Sequence, residues 1–114
     1  MIKNRMPKMG EIWMVELPGN NGFCLNGFHR CIVIRKFGST VQVVPISENR
    51  NNIHYGEIAI EKGKYGLTKD SKIKMAQYTT VTIENFKCRK GRVDRETLKN
   101  NKIFYTRKYN KIYR

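Results

Sequence analysis

His29 and Arg30 stand side by side immediately before an apolar run, Cys31-Ile32-Val33-Ile34. An imidazole titrates near neutrality and can carry a proton. A guanidinium presents a planar fork of donors that matches a phosphate. Ser47 closes a second apolar run, Val43-Val44-Pro45-Ile46, and its hydroxyl can donate to a phosphate oxygen. Those three side chains meet the needs of RNA phosphodiester cleavage without a metal. A base takes the 2′-OH proton, an acid protonates the leaving 5′-oxygen, and a cation or donor holds the phosphate as charge develops. The competing reading of His29-Arg30 is a solvated strand start, and that of Ser47 is an ordinary turn residue.

For that chemistry the three residues must be brought together. Arg30–Lys36 reads as a strand, Phe37-Gly38-Ser39 as a tight turn, and Thr40–Ser47 as the returning strand. Both runs are rich in β-branched residues, as half-buried strands tend to be. Antiparallel pairing about 37–39 brings residues 29–30 and Ser47 to the same end of the hairpin. Upstream, Glu11–Leu17 is apolar on both faces and stops at Pro18-Gly19. Downstream, short strands are predicted over 56–60, 71–76, 79–83 and 86–93. Asp94 reads as an N-cap, with a helix over about 95–113. Five to seven short strands with a C-terminal helix make a mainly β fold, a small SH3-like barrel. Residues 1–8 read as a disordered basic arm ahead of a single domain over 9–114.

Composition narrows the partners. The chain has 114 residues, with 23 Lys and Arg against 9 Asp and Glu, a formal charge of +14. Such a field favours nucleic acid, an anionic membrane surface or an acidic protein tail. Phe86–Arg114 alone carries eleven Lys and Arg against two acids. Within it Tyr105, Tyr109 and Tyr113 recur every four residues; the spacing suits a face packed on the barrel, and the cations among them suit phosphate contact. No run reaches the ~18 apolar residues of a membrane span, and the N-terminus has no apolar signal segment. Three cysteines, Cys24, Cys31 and Cys88, include no C-x-x-C pair, so no disulfide framework, zinc site or other cofactor is expected. A reducing cytoplasm is the expected location.

Taken in order, these segments resemble the MazF/PemK family of toxin endoribonucleases. Gly10-Glu11-Ile12-Trp13-Met14-Val15-Glu16-Leu17 resembles the family's Gly-Asp-aromatic first strand, and Gly27-Phe28-His29-Arg30-Cys31-Ile32-Val33-Ile34 its G-x-R-P-x-x-V-I segment. Val43–Ser47 is similar to the strand ending in a functional Thr or Ser. Gly66-x-x-x-Asp70-Ser71, with Gln77 six residues on, is similar to a later signature. The resemblance implies cleavage of single-stranded RNA to a 2′,3′-cyclic phosphate and a 5′-hydroxyl, a homodimer, and an antitoxin whose acidic tail blocks the site. It carries catalysis over to Arg30 and Ser47, to which the reading of the residues adds His29. RNA contacts are expected from Asn26, Arg35, Lys36, Arg50, Lys69 and Gln77. Two departures stand out. The Arg-Pro pair is absent: an ungapped match sets His29 on the Arg position, and omitting the Pro sets Arg30 there. Residues 22–27 also lack the usual Glu-Gln. Two other functions fit the same fold: a nucleic-acid-binding barrel that does not cut, and a CcdB-like toxin acting on a protein target.

Overall fold

The computed structural model describes residues 6–18, 27–48, 52–53 and 57–100. Its strands are β1 (Glu11–Leu17), β2 (Gly27–Phe37), β3 (Thr40–Ser47), β4 (Glu57–Ile60), β5 (Ser71–Lys74), β6 (Thr79–Thr82) and β7 (Phe86–Arg92), followed by the helix α1 (Arg95–Asn100). All seven belong to one antiparallel sheet, in the order β4-β5-β3-β2-β1-β7, with β6 also paired to β3.

Apolar residues on both faces of β1, β2 and β3 give the molecule two cores. Trp13, Val15 and Leu17 of β1 join Cys31, Val33, Val41, Val43, Val81 and Phe86 in one. Those side chains come from β7, β1, β2, β3 and β6 in turn, so the sheet curls until β6 and β7 share one interior. The Trp13 and Phe86 rings meet edge to face, centroids 5.6 Å apart. On the outer face Ile12, Ile32, Val44 and Ile46 are covered by Ile60, Ile73, Leu67, Val93 and Leu98. The mainly β, barrel-like expectation holds.

The β2–β3 hairpin forms as the sequence predicts, with Phe37 opposite Thr40 and Cys31 opposite Pro45. Gly38 takes φ +63°, and a Cβ there would meet nothing within 4 Å. The turn therefore needs glycine for its backbone angle, not for space.

Two boundaries differ from expectation. β2 begins at Gly27 rather than Arg30, because β1 pairs with it along its whole length, down to Leu17 opposite Gly27. His29-Arg30 thus lies inside a strand rather than at its head. The polar–apolar alternation of Ser71-Lys72-Ile73-Lys74-Met75-Ala76 predicts a half-buried strand. Instead Ser71, Lys72 and Ile73 are all buried, because β5 is flanked by β3 and β4, and the strand gives way to a 3₁₀ turn at Met75.

Asp94 does cap α1: its Oδ1 accepts the Thr97 N–H at 2.7 Å. The helix expected over 95–113 is seen to Asn100; its remainder, with Tyr105, Tyr109 and Tyr113, lies outside the described residues. So do residues 1–5 of the expected arm. Pro7 is buried, and the Lys8 N–H donates to Glu11 Oε1 at 2.9 Å. No helix among the described residues is long and apolar enough to cross a membrane.

Candidate functional site

β3 changes partner along its length. Its first four residues pair with β6 on one side while the strand pairs with β2 on the other, and the β2 ladder ends at Cys31 opposite Pro45. From Ile46 the strand pairs instead with β5, Ile46 opposite Ile73 and Ser47 opposite Lys72. β2 meanwhile continues along β1 to Gly27. The two strands part, and the gap between residues 28–30 and 46–48 is a cleft of about 350 Å³. Met14, Phe28, His29, Arg30, Ile46, Ser47, Glu48 and Leu67 line it.

The three residues singled out for catalysis therefore border one cavity. Strand alternation distinguishes their aspects. Arg30 lies opposite Met14 and two residues before Ile32, opposite Ile12. It thus shares the face of Met14, Ile46 and Leu67, which form the cleft's apolar lining. His29 alternates with Arg30 and belongs to the face of Cys31 and Val33. Arg30 is accordingly the guanidinium of the cleft, with His29 bordering it from the neighbouring face.

Arg30 is held loosely at one end. An Arg30 terminal nitrogen lies 3.7 Å from Glu48 Oε2, with the side chains 31% and 40% exposed. A pair that long and that wet contributes about 0–1 kcal/mol, so an incoming phosphate can replace the carboxylate. Arg30 Nε is buried and has no hydrogen-bond partner among the described residues. Glu48, which the sequence reading did not single out, is the one acid among the described residues that line the cleft; its position directly after Ser47 was the available signal. Burial pushes the Cys31 thiol up to about 12, so at neutral pH it stays protonated and is not a nucleophile. No three His, Cys, Asp or Glu side chains among the described residues are grouped to hold a metal ion.

The expected RNA contacts fall in several places. Arg35 and Lys36 lie at the far end of the hairpin, opposite Gln42 and Val41, about 16–20 Å along the strand from Arg30. The Arg35 guanidinium covers the Phe37 ring at 4.6 Å. Lys69 is exposed two residues after Leu67 but does not line the cleft. Its carbonyl accepts from Ser71 Oγ at 2.9 Å, while Asp70 Oδ1 takes the Lys62 N–H at 2.9 Å, so this segment has the turn-capping role its residues suggest. Gln77 follows β5 in a 3₁₀ turn, and its buried side-chain oxygen has no partner among the described residues. Asn26 and Arg50 lie outside the described residues.

Beneath the site, Glu11 gathers donors the sequence did not foretell. The buried carboxylate accepts from Trp13 Nε1 at 2.9 Å, from the Lys8 N–H at 2.9 Å and from Arg89 Nε at 3.0 Å. Burial alone raises its pKa, but these donors outweigh burial and hold it below the ordinary carboxylate value. Lys72, beside Ser47 in the ladder, is also buried. Its ammonium donates to Glu57 Oε1 at 2.9 Å and to the Asn52 carbonyl at 2.7 Å.

Comparison with known proteins extends this description. Among solved structures, the chain is similar to an endoribonuclease in complex with its cognate antitoxin from a mycobacterial species. The identity is 15% and the TM-score 0.65, over 89% of this chain and 93% of that one; at that identity the likeness is one of fold. No curated protein matches the sequence. Residues 8–102, nearly the whole of both cores and all of the cleft, match the family described as PemK-like, MazF-like toxin of type II toxin–antitoxin system, and the chain belongs to that family.

Proposed function

We propose that this chain is a toxin endoribonuclease that cuts single-stranded RNA in the cleft between β2 and the end of β3. One observation carries the proposal: Arg30, His29 and Ser47 border the same cavity, and Arg30 Nε within this group has no hydrogen-bond partner among the described residues. The cut is an internal transfer. The 2′-oxygen bonds to phosphorus, the bond from phosphorus to the 5′-oxygen breaks, and the products are a 2′,3′-cyclic phosphate and a 5′-hydroxyl. Arg30 exchanges Glu48 for the phosphate and stabilises the charge that builds on it. Ser47 donates to a non-bridging oxygen. His29 takes the 2′-OH proton and, as the imidazolium so formed, delivers it to the leaving 5′-oxygen, so that one proton is lost at O2′ and one gained at O5′. In this proposal no metal is needed for these roles.

Arg35, Lys36, Lys69 and Gln77, with Asn26 and Arg50, serve in this proposal as contacts to flanking nucleotides. The proposed assembly is a homodimer in the cytoplasm, inhibited by an antitoxin with an acidic segment. That partner fits the family and the charge of +14. A binding barrel that does not cut is the second reading, favoured by the absent Arg-Pro and Glu-Gln pairs.

The deciding experiment incubates purified protein with a long single-stranded RNA in EDTA and maps the ends. Discrete cuts bearing cyclic phosphates are expected. Intact RNA that still binds the protein would establish the second reading.

A further inference from the structure

Phe28 is the one Phe, Tyr or Trp among the described residues that line the cleft, and for an apolar ring it is well exposed: 47% of its surface faces solvent. It is fixed by the β1–β2 ladder, opposite Glu16 and two residues from Arg30. The Lys87 ammonium of β7 stands 5.3 Å from the centre of its ring. Lys87 begins a basic stretch on the strand at one end of the sheet order, continued by Arg89, Lys90 and Arg92. Arg89 and Arg92 are turned to Glu11. Lys87 instead lies over the aromatic ring.

We infer that Phe28 is a stacking platform for a nucleobase next to the scissile linkage, with Lys87 as the cation that steadies the ring and contacts the adjoining phosphate. This rests on the proposed RNA cleavage in the sense that it names a subsite of the same cleft. Three features converge on a base as the occupant. A rigid ring on a strand gives stacking area at little conformational cost, and any base has a π face to offer it. A cation against the ring strengthens the surface electrostatically. The guanidinium two residues away, on the same side of the strand by alternation, lies where a phosphate joined to a stacked nucleotide can reach. Glu16, across the ladder from Phe28, repels phosphate on that side, which orients the strand with its backbone towards Arg30 and Lys87 and its base over the ring. An acidic peptide would match the cations but would leave the exposed ring without a role.

The test uses the full chain and a single-stranded RNA carrying 2-aminopurine at successive positions. Every ribose is 2′-O-methylated, so no attacking hydroxyl is present. Binding of wild-type protein should quench the fluorophore at one or two positions. Phe28→Ala should abolish that quenching and weaken binding roughly 5- to 30-fold, whereas Phe28→Trp should preserve both. Phe28→Leu should resemble Phe28→Ala, because bulk without a π face does not stack. Lys87→Gln should lower the salt dependence of binding by about one phosphate contact. Equal binding and quenching in wild type and Phe28→Ala would overturn the inference even if unmodified RNA is still cut. Loss of binding to an acidic peptide in Phe28→Ala, with RNA binding intact, would overturn it in favour of a protein ligand. Phe28-dependent stacking in a protein that never cuts RNA would sustain the platform and sink the nuclease. Thermal melting of each variant, with Phe28→Tyr as a conservative control, separates these results from misfolding.

Discussion

Arg30 and Glu11, on neighbouring strands of one sheet, show opposite uses of charge. Arg30 has a weak exposed pair and a buried nitrogen without a partner among the described residues. Its replacement should therefore cost activity and spare the fold. Arg30→Ala should lower kcat/KM for RNA cleavage about 10²- to 10³-fold and shift the urea midpoint little. Arg30→Lys should restore only part of the rate, because a point charge lacks the planar fork. A full rate in Arg30→Ala would remove the assigned site. Glu11 is the reverse case, buried and supplied with donors. Its folded pKa is depressed, so its stabilisation is present above the ordinary carboxylate value of 4.5. That stabilisation is lost as the pH falls through the lower folded value. Glu11→Gln should destabilise the protein by about 1–3 kcal/mol at pH 7, and the gap to wild type should close at acid pH. Urea unfolding at pH 7 and pH 3 measures this; an unchanged gap would mean that the carboxylate's charge is not what matters.

At the scale of elements, the strands were legible where periodicity and turn chemistry agree. Thr40–Ser47 and the turn at Gly38 follow from β-branched runs on either side of a glycine that must take a positive φ. The two-sided apolar pattern of Glu11–Leu17 announced a strand buried on both faces. Asp94 announced the start of α1. The partner switch of β3 after Pro45 was not legible, because it depends on β5 arriving from a distant segment, and local sequence carries no record of that. The convergence of Arg30 and Ser47 was thus read correctly from hairpin register, whereas the cleft between them was not. The burial of Lys72 was missed for the same reason: polar alternation in 71–76 signals exposure until Glu57 on β4 supplies a counter-charge. Tyr65 likewise takes φ +53°, a conformation no local pattern demands, while its hydroxyl donates to Asp94 Oδ2 at 3.0 Å and ties the turn to the helix start. The Lys72–Glu57 pair makes an element-level prediction. Lys72→Ala, which takes the closer lysine from a buried carboxylate and leaves it the longer pair with Lys74 at 3.8 Å, should cost up to about 3–5 kcal/mol, whereas Lys72→Met with Glu57→Leu should fall within about 1–2 kcal/mol of wild type. Chemical denaturation of the single and double variants distinguishes the two.

At the scale of the whole molecule, cations far outnumber acids, and some of the acids are committed to ion pairs inside the barrel. Nine acids face 23 Lys and Arg. Of the nine, Glu11, Glu48 and Glu57 are engaged with Arg89 and Arg92, Arg30, and Lys72 and Lys74 respectively. The uncompensated field therefore belongs to the lysine- and arginine-rich surface, including β7, and acts on a polyanion before any specific contact forms. Salt should consequently affect capture far more than chemistry. If about three phosphates are neutralised on a single strand, log(kcat/KM) falls against log[salt] with a slope near −2, about a 20-fold loss between 50 and 200 mM. The rate at saturating RNA should change much less, because Arg30 and Ser47 act on a phosphate already seated, at distances short of a Debye length. Steady-state cleavage across that salt range provides the measurement. A kcat that falls in step with kcat/KM would mean that the +14 charge acts within the chemical step, and that the cleft does not isolate its phosphate from the surrounding ions.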